Sequence, residues 1–117
     1  MTIVSEQLVN YTDLTADAQK RARQDFINYY VREFKNDNLE VISNLADDRD
    51  LAMINHLLGE NSYQTVDQLA PLSARMVGSS FDRVLAKLDM KYQPNGEAAK
   101  TWTAWEKAIH EQLPVED

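Results

Sequence analysis

Cysteine is absent from this chain of 117 residues, and glycine and proline occur only three times each. Without cysteine the protein forms no disulfide and no thiolate metal site, which fits a cytoplasmic protein. So few glycines and prolines argue against a β-sandwich, which needs many tight turns. There is also no run of about eighteen apolar residues and no basic and apolar leader, so we expect neither a membrane span nor a secretory signal.

Residues typical of catalysis are equally scarce. His56 and His110 are the only histidines, and they do not have the spacing of metal ligands. No phosphate-binding loop, dinucleotide fingerprint or nucleophilic serine motif occurs. Residues 47–50 (DDRD) have the carboxylates of a magnesium site, but a solvated helix start explains them more simply because the helix dipole favours acids there. We therefore expect no enzyme activity, no metal and no cofactor.

What the chain does contain is a helical pattern long enough for one domain, residues 1–117, with 44% apolar residues for its core. Thr15 suits a helix N-cap, and an apolar stripe at spacings of three and four follows it to about Phe34: Ala18, Ala22, Phe26, Tyr29 and Tyr30. A second helix is predicted through Leu39, Ile42 and Leu45. A third starts at Asp47 or Asp48, turns Leu51, Ile54, Leu57 and Leu58 inward, and ends before Gly59.

The C-terminal half, residues 62–113, has sharper boundaries. Residues 65–68 (TVDQ) form a capping box that starts a helix, and residues 78–80 (GSS) break the pattern before a further helix capped by Ser79. Residues 93–96 (QPNG) predict a tight turn. A last helix is expected from about Ala98 or Thr103 to Leu113. The prediction is a mainly α domain of about five helices.

The order helix, break, helix and turn is what a small winged helix-turn-helix needs. Residues 65–90 would form the helix-turn-helix, and a short β-hairpin wing would surround Asn95 and Gly96. The alternative is an ordinary antiparallel helical hairpin with solvated lysines. If the helix-turn-helix forms and binds DNA, the contacting residues are expected to be Ser79, Ser80, Arg83, Lys87 and Lys91.

Charge is distributed unevenly around a net value of -7. Residues 1–61 form an acidic helical part with a net charge of -5, residues 62–110 have a net charge of +1, and residues 111–117 add -3. A strong DNA-binding protein normally shows a clear basic excess. The candidate helix-turn-helix is the only part of this chain that is not acidic.

Two segments resemble phage proteins. Residues 79–108 (SSFDRVLAKLDMKYQPNGEAAKTWTAWEKA) resemble the recognition helix and wing of some phage antirepressor-type proteins, with Asp89 where a glycine often stands between helix and wing. The spacing of Tyr11, Leu14, Ala18 and Ala22 is similar to the opening of several small phage-encoded proteins without an assigned activity. The resemblance implies a phage or prophage origin. It carries over no functional residue from the second group.

Two hypotheses of different class follow from these patterns. In the first, the protein is a non-enzymatic interaction protein that binds a protein partner through an acidic helical surface. The interface candidates are Tyr30, Phe34, Asp47, Asp48 and Asp50. In the second, it is a small DNA-binding transcriptional regulator. A homodimer through the aromatic face from Phe26 to Phe34 fits either hypothesis.

Overall fold

A computed structural model describes residues 8–36, 48–88 and 90–112. One 3-10 turn, Tyr11–Asp13, precedes four α-helices in this part of the chain: α1 (Ala16–Lys35), α2 (Asp48–Glu60), α3 (Val66–Lys87) and α4 (Trp102–Gln112). None of these helices is long and apolar enough to cross a membrane. The mainly α class is confirmed. The predicted helix through Leu39, Ile42 and Leu45 lies outside the described residues, so the structure does not support a count of five.

Helix α1 starts as its sequence predicts. The Thr15 hydroxyl accepts a hydrogen bond from the Ala18 backbone N–H at 3.2 Å, and the whole predicted apolar stripe is buried. Ile27 and Val31 are buried as well, because α1 packs against the three other helices and the 3-10 turn. Burial therefore covers more of α1 than a single stripe.

Phe26 lies at the centre of the core. Its ring is fully buried and contacts four other aromatic rings, with centroids 4.7 to 6.1 Å apart: Tyr29, Tyr30, Phe81 and Trp102. These rings come from α1, α3 and α4. Tilted and edge-to-face pairs at such distances are favourable beyond the apolar area that they bury. Phe26 therefore holds three helices together.

Helix α2 follows the predicted pattern at its start and on its inner face. It begins at Asp48, and Leu51, Ile54 and Leu58 are buried while Leu57 is half-buried. The expectation for Gly59 was wrong, since the helix continues through this residue to Glu60. Open space surrounds the Cα of Gly59, so no neighbouring group forces a turn there.

The capping box of α3 is confirmed. The Thr65 hydroxyl accepts from the Gln68 backbone N–H at 3.3 Å, and the Gln68 side chain accepts from the Thr65 N–H at 3.0 Å. The break predicted at residues 78–80 is present as a kink one residue earlier. Val77 has non-helical angles (φ -133°, ψ 30°), and helical structure resumes after it and ends at Lys87.

A helix-turn-helix needs a turn of three or four residues, whereas the two helical segments of α3 meet at a kink of one residue. Buried residues lie on both sides of this kink, with Leu69 and Ser73 before it and Phe81 and Val84 after it. This burial stabilises helical structure on both sides and offsets the cost of about 1 kcal/mol for one glycine relative to alanine.

The segment between α3 and α4 has no strand among its described residues, so the predicted β-hairpin wing is not formed. Tyr92 instead makes single antiparallel bridges to Val9 and to Ala98. The turn expected at residues 93–96 is confirmed, because the Gly96 N–H donates to the Gln93 carbonyl at 2.8 Å. Helix α4 begins at Trp102, since the Thr101 hydroxyl caps the Ala104 N–H at 3.1 Å.

Gly96 is expected to be the least replaceable glycine. Its φ is +95°, and a Cβ atom there would lie 2.3 Å from the Ala18 carbonyl oxygen. Gly96→Ala should lower the free energy of unfolding by about 1–3 kcal/mol, because the backbone must strain or move away from α1. Gly59→Ala is the matched control and should raise this free energy by roughly 0.5–1 kcal/mol. Equal effects of the two substitutions in urea unfolding would contradict the close approach.

Stability should decline in alkaline solution. Burial is the largest cause that raises the pKa of four phenols above the ordinary value of 10.0: Tyr11, Tyr29, Tyr30 and Tyr92. Above about pH 10 the unfolded chain loses these protons while the folded protein keeps them. The folded state then binds more protons, so the free energy of unfolding must fall as pH rises.

Urea unfolding between about pH 8 and about pH 11 measures this decline. Tyr92→Phe is the informative variant, because the Tyr92 hydroxyl has no hydrogen-bond partner among the described residues. Removing it should make the decline shallower with little loss of stability at neutral pH. An unchanged slope in Tyr92→Phe would mean that other groups cause the decline.

Candidate functional site

Asp82 fixes one side of α3. Its carboxylate accepts two hydrogen bonds from the Arg23 guanidinium of α1, at 2.9 and 3.1 Å, and a third from the Tyr11 hydroxyl. Burial, and then the hydrogen bond to Asp82, raise the pKa of the Tyr11 phenol, which keeps it protonated as a donor. The same carboxylate raises the pKa of Arg23. Asp82 therefore joins α3 to α1 and to the 3-10 turn.

Arg83 fixes the other side of α3. Its Nε donates to Asp50 Oδ1 of α2 at 2.9 Å, and its Nη2 lies 3.4 Å from Ser80 Oγ. The Asp50 side chain is only 6% exposed, whereas that of Arg83 is 55% exposed. The guanidinium therefore covers a buried carboxylate and still reaches solvent. Asp50 is the buried member of the pair. Losing the partner therefore costs more free energy when Asp50 is left alone than when Arg83 is left alone.

A basic stripe runs along the outer face of α3. Arg75, Ser79, Arg83 and Lys87 follow one another at intervals of four residues, and all four are exposed. Residues four apart lie on the same side of a helix, so Ser79, Arg83 and Lys87 share one face after the kink at Val77. No exposed residue of α3 between Arg75 and Lys87 is acidic, although Arg83 pairs with the buried Asp50 of α2.

Two methionines adjoin the basic stripe. Met53 on α2 is 51% exposed and Met76 on α3 is 60% exposed, which is high for such apolar side chains. The Met53 sulfur lies 3.9 Å from Ser80 Oγ of α3. Met76 lies on α3 directly before the kink at Val77. We call the surface formed by Met53, Met76, Arg75, Ser79, Arg83 and Lys87 the α2–α3 surface.

The structure divides the DNA-contact candidates. Ser79, Arg83 and Lys87 are exposed on the outer face of α3, whereas Ser80 is buried beside Met53. Lys91 is exposed away from the helix and donates to the Asn10 side chain. Arg83 forms an ion pair with Asp50. Part of the predicted set thus shares one face, but that face belongs to a continuous kinked helix.

The protein-interface candidates do not form one surface. Tyr30 is buried and donates to the Asn55 side chain at 2.7 Å, Asp50 is buried against Arg83, and Phe34 is half-buried. Asp47 and the side chain of Asp48 lie outside what the structure describes. The aromatic face expected to form a dimer lies mostly within the protein's own core, because Phe26, Tyr29 and Tyr30 pack against α3 or α4.

The carboxylates that give the chain its net negative charge lie outside the described residues. All 12 Lys and Arg residues and 12 of the 19 Asp and Glu residues fall within the described ranges, so that part of the chain is neutral overall. The remaining seven carboxylates, which equal the net charge of -7, belong to Glu6, Asp37, Glu40, Asp47, Asp89, Glu116 and Asp117. The net acidity of the chain therefore comes from residues that the structure does not describe.

Two clefts flank α1. A cleft of about 330 Å³ lies against α3 and is lined by Gln24, Asn28 and Pro71 among others. A second, of about 420 Å³, contains two carboxylates and two cations: Asp25, Glu97, Arg32 and Lys100. Burial, with a contribution from Glu97, raises the pKa of Asp25. The two carboxylates and the two cations of the second cleft cancel. The cleft therefore favours neither an anionic nor a cationic ligand.

Within the described ranges, no three carboxylates or histidines come together in a group that could hold a metal ion. Comparisons with known proteins also leave the function open: no protein-family model, no curated protein and no solved structure matches this chain. The resemblance to phage proteins thus gains no support from these comparisons.

Sequence reasoning missed the two methionines, although helical periodicity contains the signal. Leu51, Ile54 and Leu58 define the inner stripe of α2, and Met53 falls outside it. A large apolar residue that departs from the buried stripe of its own helix is a candidate for contact with another molecule.

The Arg83–Asp50 pair should matter for stability. Arg83→Ala is expected to lower the free energy of unfolding by about 1–3 kcal/mol, because it leaves the buried Asp50 carboxylate without its cation. Arg75→Ala removes an exposed arginine of the same stripe and should change it by less than about 0.5 kcal/mol. Adding Asp50→Asn to Arg83→Ala should restore part of the loss. Urea unfolding that shows the same effect for Arg83→Ala and Arg75→Ala would rule out this role.

Proposed function

We propose that this protein is a non-catalytic protein-binding domain and that the α2–α3 surface is its binding site. The observation that carries the proposal is the pair of exposed methionines beside a basic stripe. Methionine and arginine are enriched at protein interfaces, whereas lysine and acidic residues are depleted there. Methionine also adapts its shape to different partners because its thioether chain is flexible.

The charge of the surface indicates the chemistry of the partner. The exposed residues of α3 from Arg75 to Lys87 include three cations and no acid, and Arg83 among them pairs with the buried Asp50 of α2. An amphipathic helix with apolar residues on one face and flanking carboxylates complements this arrangement. Its apolar face would cover Met53 and Met76, and its acids would meet the arginines. This proposal keeps the expected protein partner but reverses the sign of the charge on the binding surface.

DNA is the alternative ligand for the same stripe. Cations spaced along one helix face suit phosphate groups, and Ser79 lies between Arg75 and Arg83. One observation favours protein over DNA, because the exposed methionines give apolar area that phosphates do not use. The break predicted for the helix-turn-helix is present as a kink at Val77, but the β-hairpin wing predicted beside it does not form among the described residues.

Fluorescence anisotropy with three labelled probes separates these possibilities. The probes are a synthetic amphipathic helix with leucines flanked by glutamates, the same peptide with lysines for glutamates, and random-sequence duplex DNA. We expect binding of the acidic peptide alone. Arg75→Glu should weaken it by about tenfold, or about 1.4 kcal/mol, because attraction becomes repulsion. Met76→Ser should also weaken it by removing apolar contact.

Matched controls exist elsewhere on the chain. Lys107→Glu makes the same charge change at an exposed position of α4, and Tyr63→Ser removes an exposed ring outside the surface. Neither should alter the affinity. Equal weakening by Lys107→Glu and Arg75→Glu would show non-specific charge attraction and refute the site. Binding of DNA with a steep loss of affinity in salt, abolished by Arg75→Glu, would refute the protein partner in favour of DNA.

A further inference from the structure

Methionine is the only sulfur-containing residue type in this chain. The sequence has four methionines and no cysteine, so no thiol of the protein competes for an oxidant. Met1 lies outside the described residues. Of the other three, Met53 and Met76 are more than half exposed, whereas Met90 is 3% exposed. Oxidation by a small reagent in solution depends on access to the sulfur atom. The structure thus separates two accessible thioethers from a protected one.

We propose that Met53 and Met76 form a peroxide-sensitive modification site whose oxidation to sulfoxides weakens docking of the acidic partner at the α2–α3 surface. The consequence for docking rests on the function proposed above, but the oxidation itself does not. Both thioethers are the exposed apolar side chains of the surface, so a change in their polarity affects contact with an apolar partner face directly.

The reaction balances with hydrogen peroxide as the oxidant. A sulfur lone pair attacks one peroxide oxygen, an S–O bond forms, and the O–O bond breaks. The departing hydroxide takes the proton from the new S–OH group and leaves as water. Sulfur is oxidised by two electrons, and peroxide is reduced by two. No metal or further co-reactant takes part.

The neighbours of Met53 can accommodate its oxidised form. Ser80 Oγ lies 3.9 Å from the Met53 sulfur, and a sulfoxide oxygen accepts hydrogen bonds more strongly than a thioether does. Ser80 is buried within α3, and its hydroxyl also lies 3.4 Å from Arg83 Nη2. The new oxygen would therefore have two donors close by. Oxidation changes the surface without placing an unpartnered polar atom in the core.

Peptide mass mapping of the folded protein after graded treatment with hydrogen peroxide tests the modification site. Peptides with Met53 and Met76 should gain one oxygen atom at least about tenfold faster than the peptide with Met90, in line with their exposure. The difference should disappear in urea, where all three are accessible. Equal rates in the folded protein would overturn the proposal and leave the proposed function intact.

Binding of the labelled acidic peptide tests the consequence. Peroxide treatment should weaken binding by the wild-type protein about tenfold, and methionine sulfoxide reductases should restore it. The double variant Met53→Leu, Met76→Leu keeps the apolar volume but cannot be oxidised, so its binding should withstand the same treatment. Undiminished binding by the oxidised wild type would overturn the proposal. Failure of the untreated protein to bind would instead refute the proposed function, and mass mapping would still test the oxidation.

Discussion

The rotation of α3 about its own axis is the constraint on which the rest of the surface depends. Asp82 and Arg83 are adjacent, so their side chains leave the helix about 100° apart. One pairs with Arg23 of α1, and the other pairs with Asp50 of α2. The two pairs have opposite polarity, so an α3 turned to exchange these directions would face like charges. The part of α3 after the kink at Val77 is therefore held in the orientation that turns Ser79 and Lys87 outward.

Apolar packing contributes most of the stability, and the ion pairs fix the orientation of α3. Phe26 brings α1, α3 and α4 together through aromatic contacts, and burial of such side chains contributes about 1.5–3 kcal/mol each. Ion pairs that water reaches contribute little net free energy. The Arg23–Asp82 pair is partly exposed on both sides and fits that description. Asp50 differs because its carboxylate is buried, so leaving it unpaired costs more than the pair itself contributes.

Charge and apolar exposure together lead to the proposed binding role. The described helices are neutral overall, so the acidity of the chain says little about their outer faces. What distinguishes the α2–α3 surface is local: exposed residues of α3 that include cations and no acid, with two exposed thioethers. The second cleft, near Asp25 and Arg32, has both signs of charge. A partner with acids around an apolar face is complementary to the first surface but not to the second.

Local sequence signals predicted the helix starts well, because caps act over only a few residues. Thr15 and the capping box of Thr65 and Gln68 both lie where their spacing indicated, and so does the turn before Gly96. The break predicted at residues 78–80 is present only as a kink at Val77. Glycine and serine favour a helix end locally, but burial on both sides of Val77 keeps the flanking residues helical.

The sequence by itself determined the helical class, the caps and the inward stripes, because each depends on residues within a few turns of one another. Only the tertiary structure decided that Asp50 is buried against Arg83 and that Met53 lies beside Ser80. The contacts that decide these points join residues 27 and 33 positions apart. No local pattern records such pairings, since they arise from the way α1, α2 and α3 pack on a shared core.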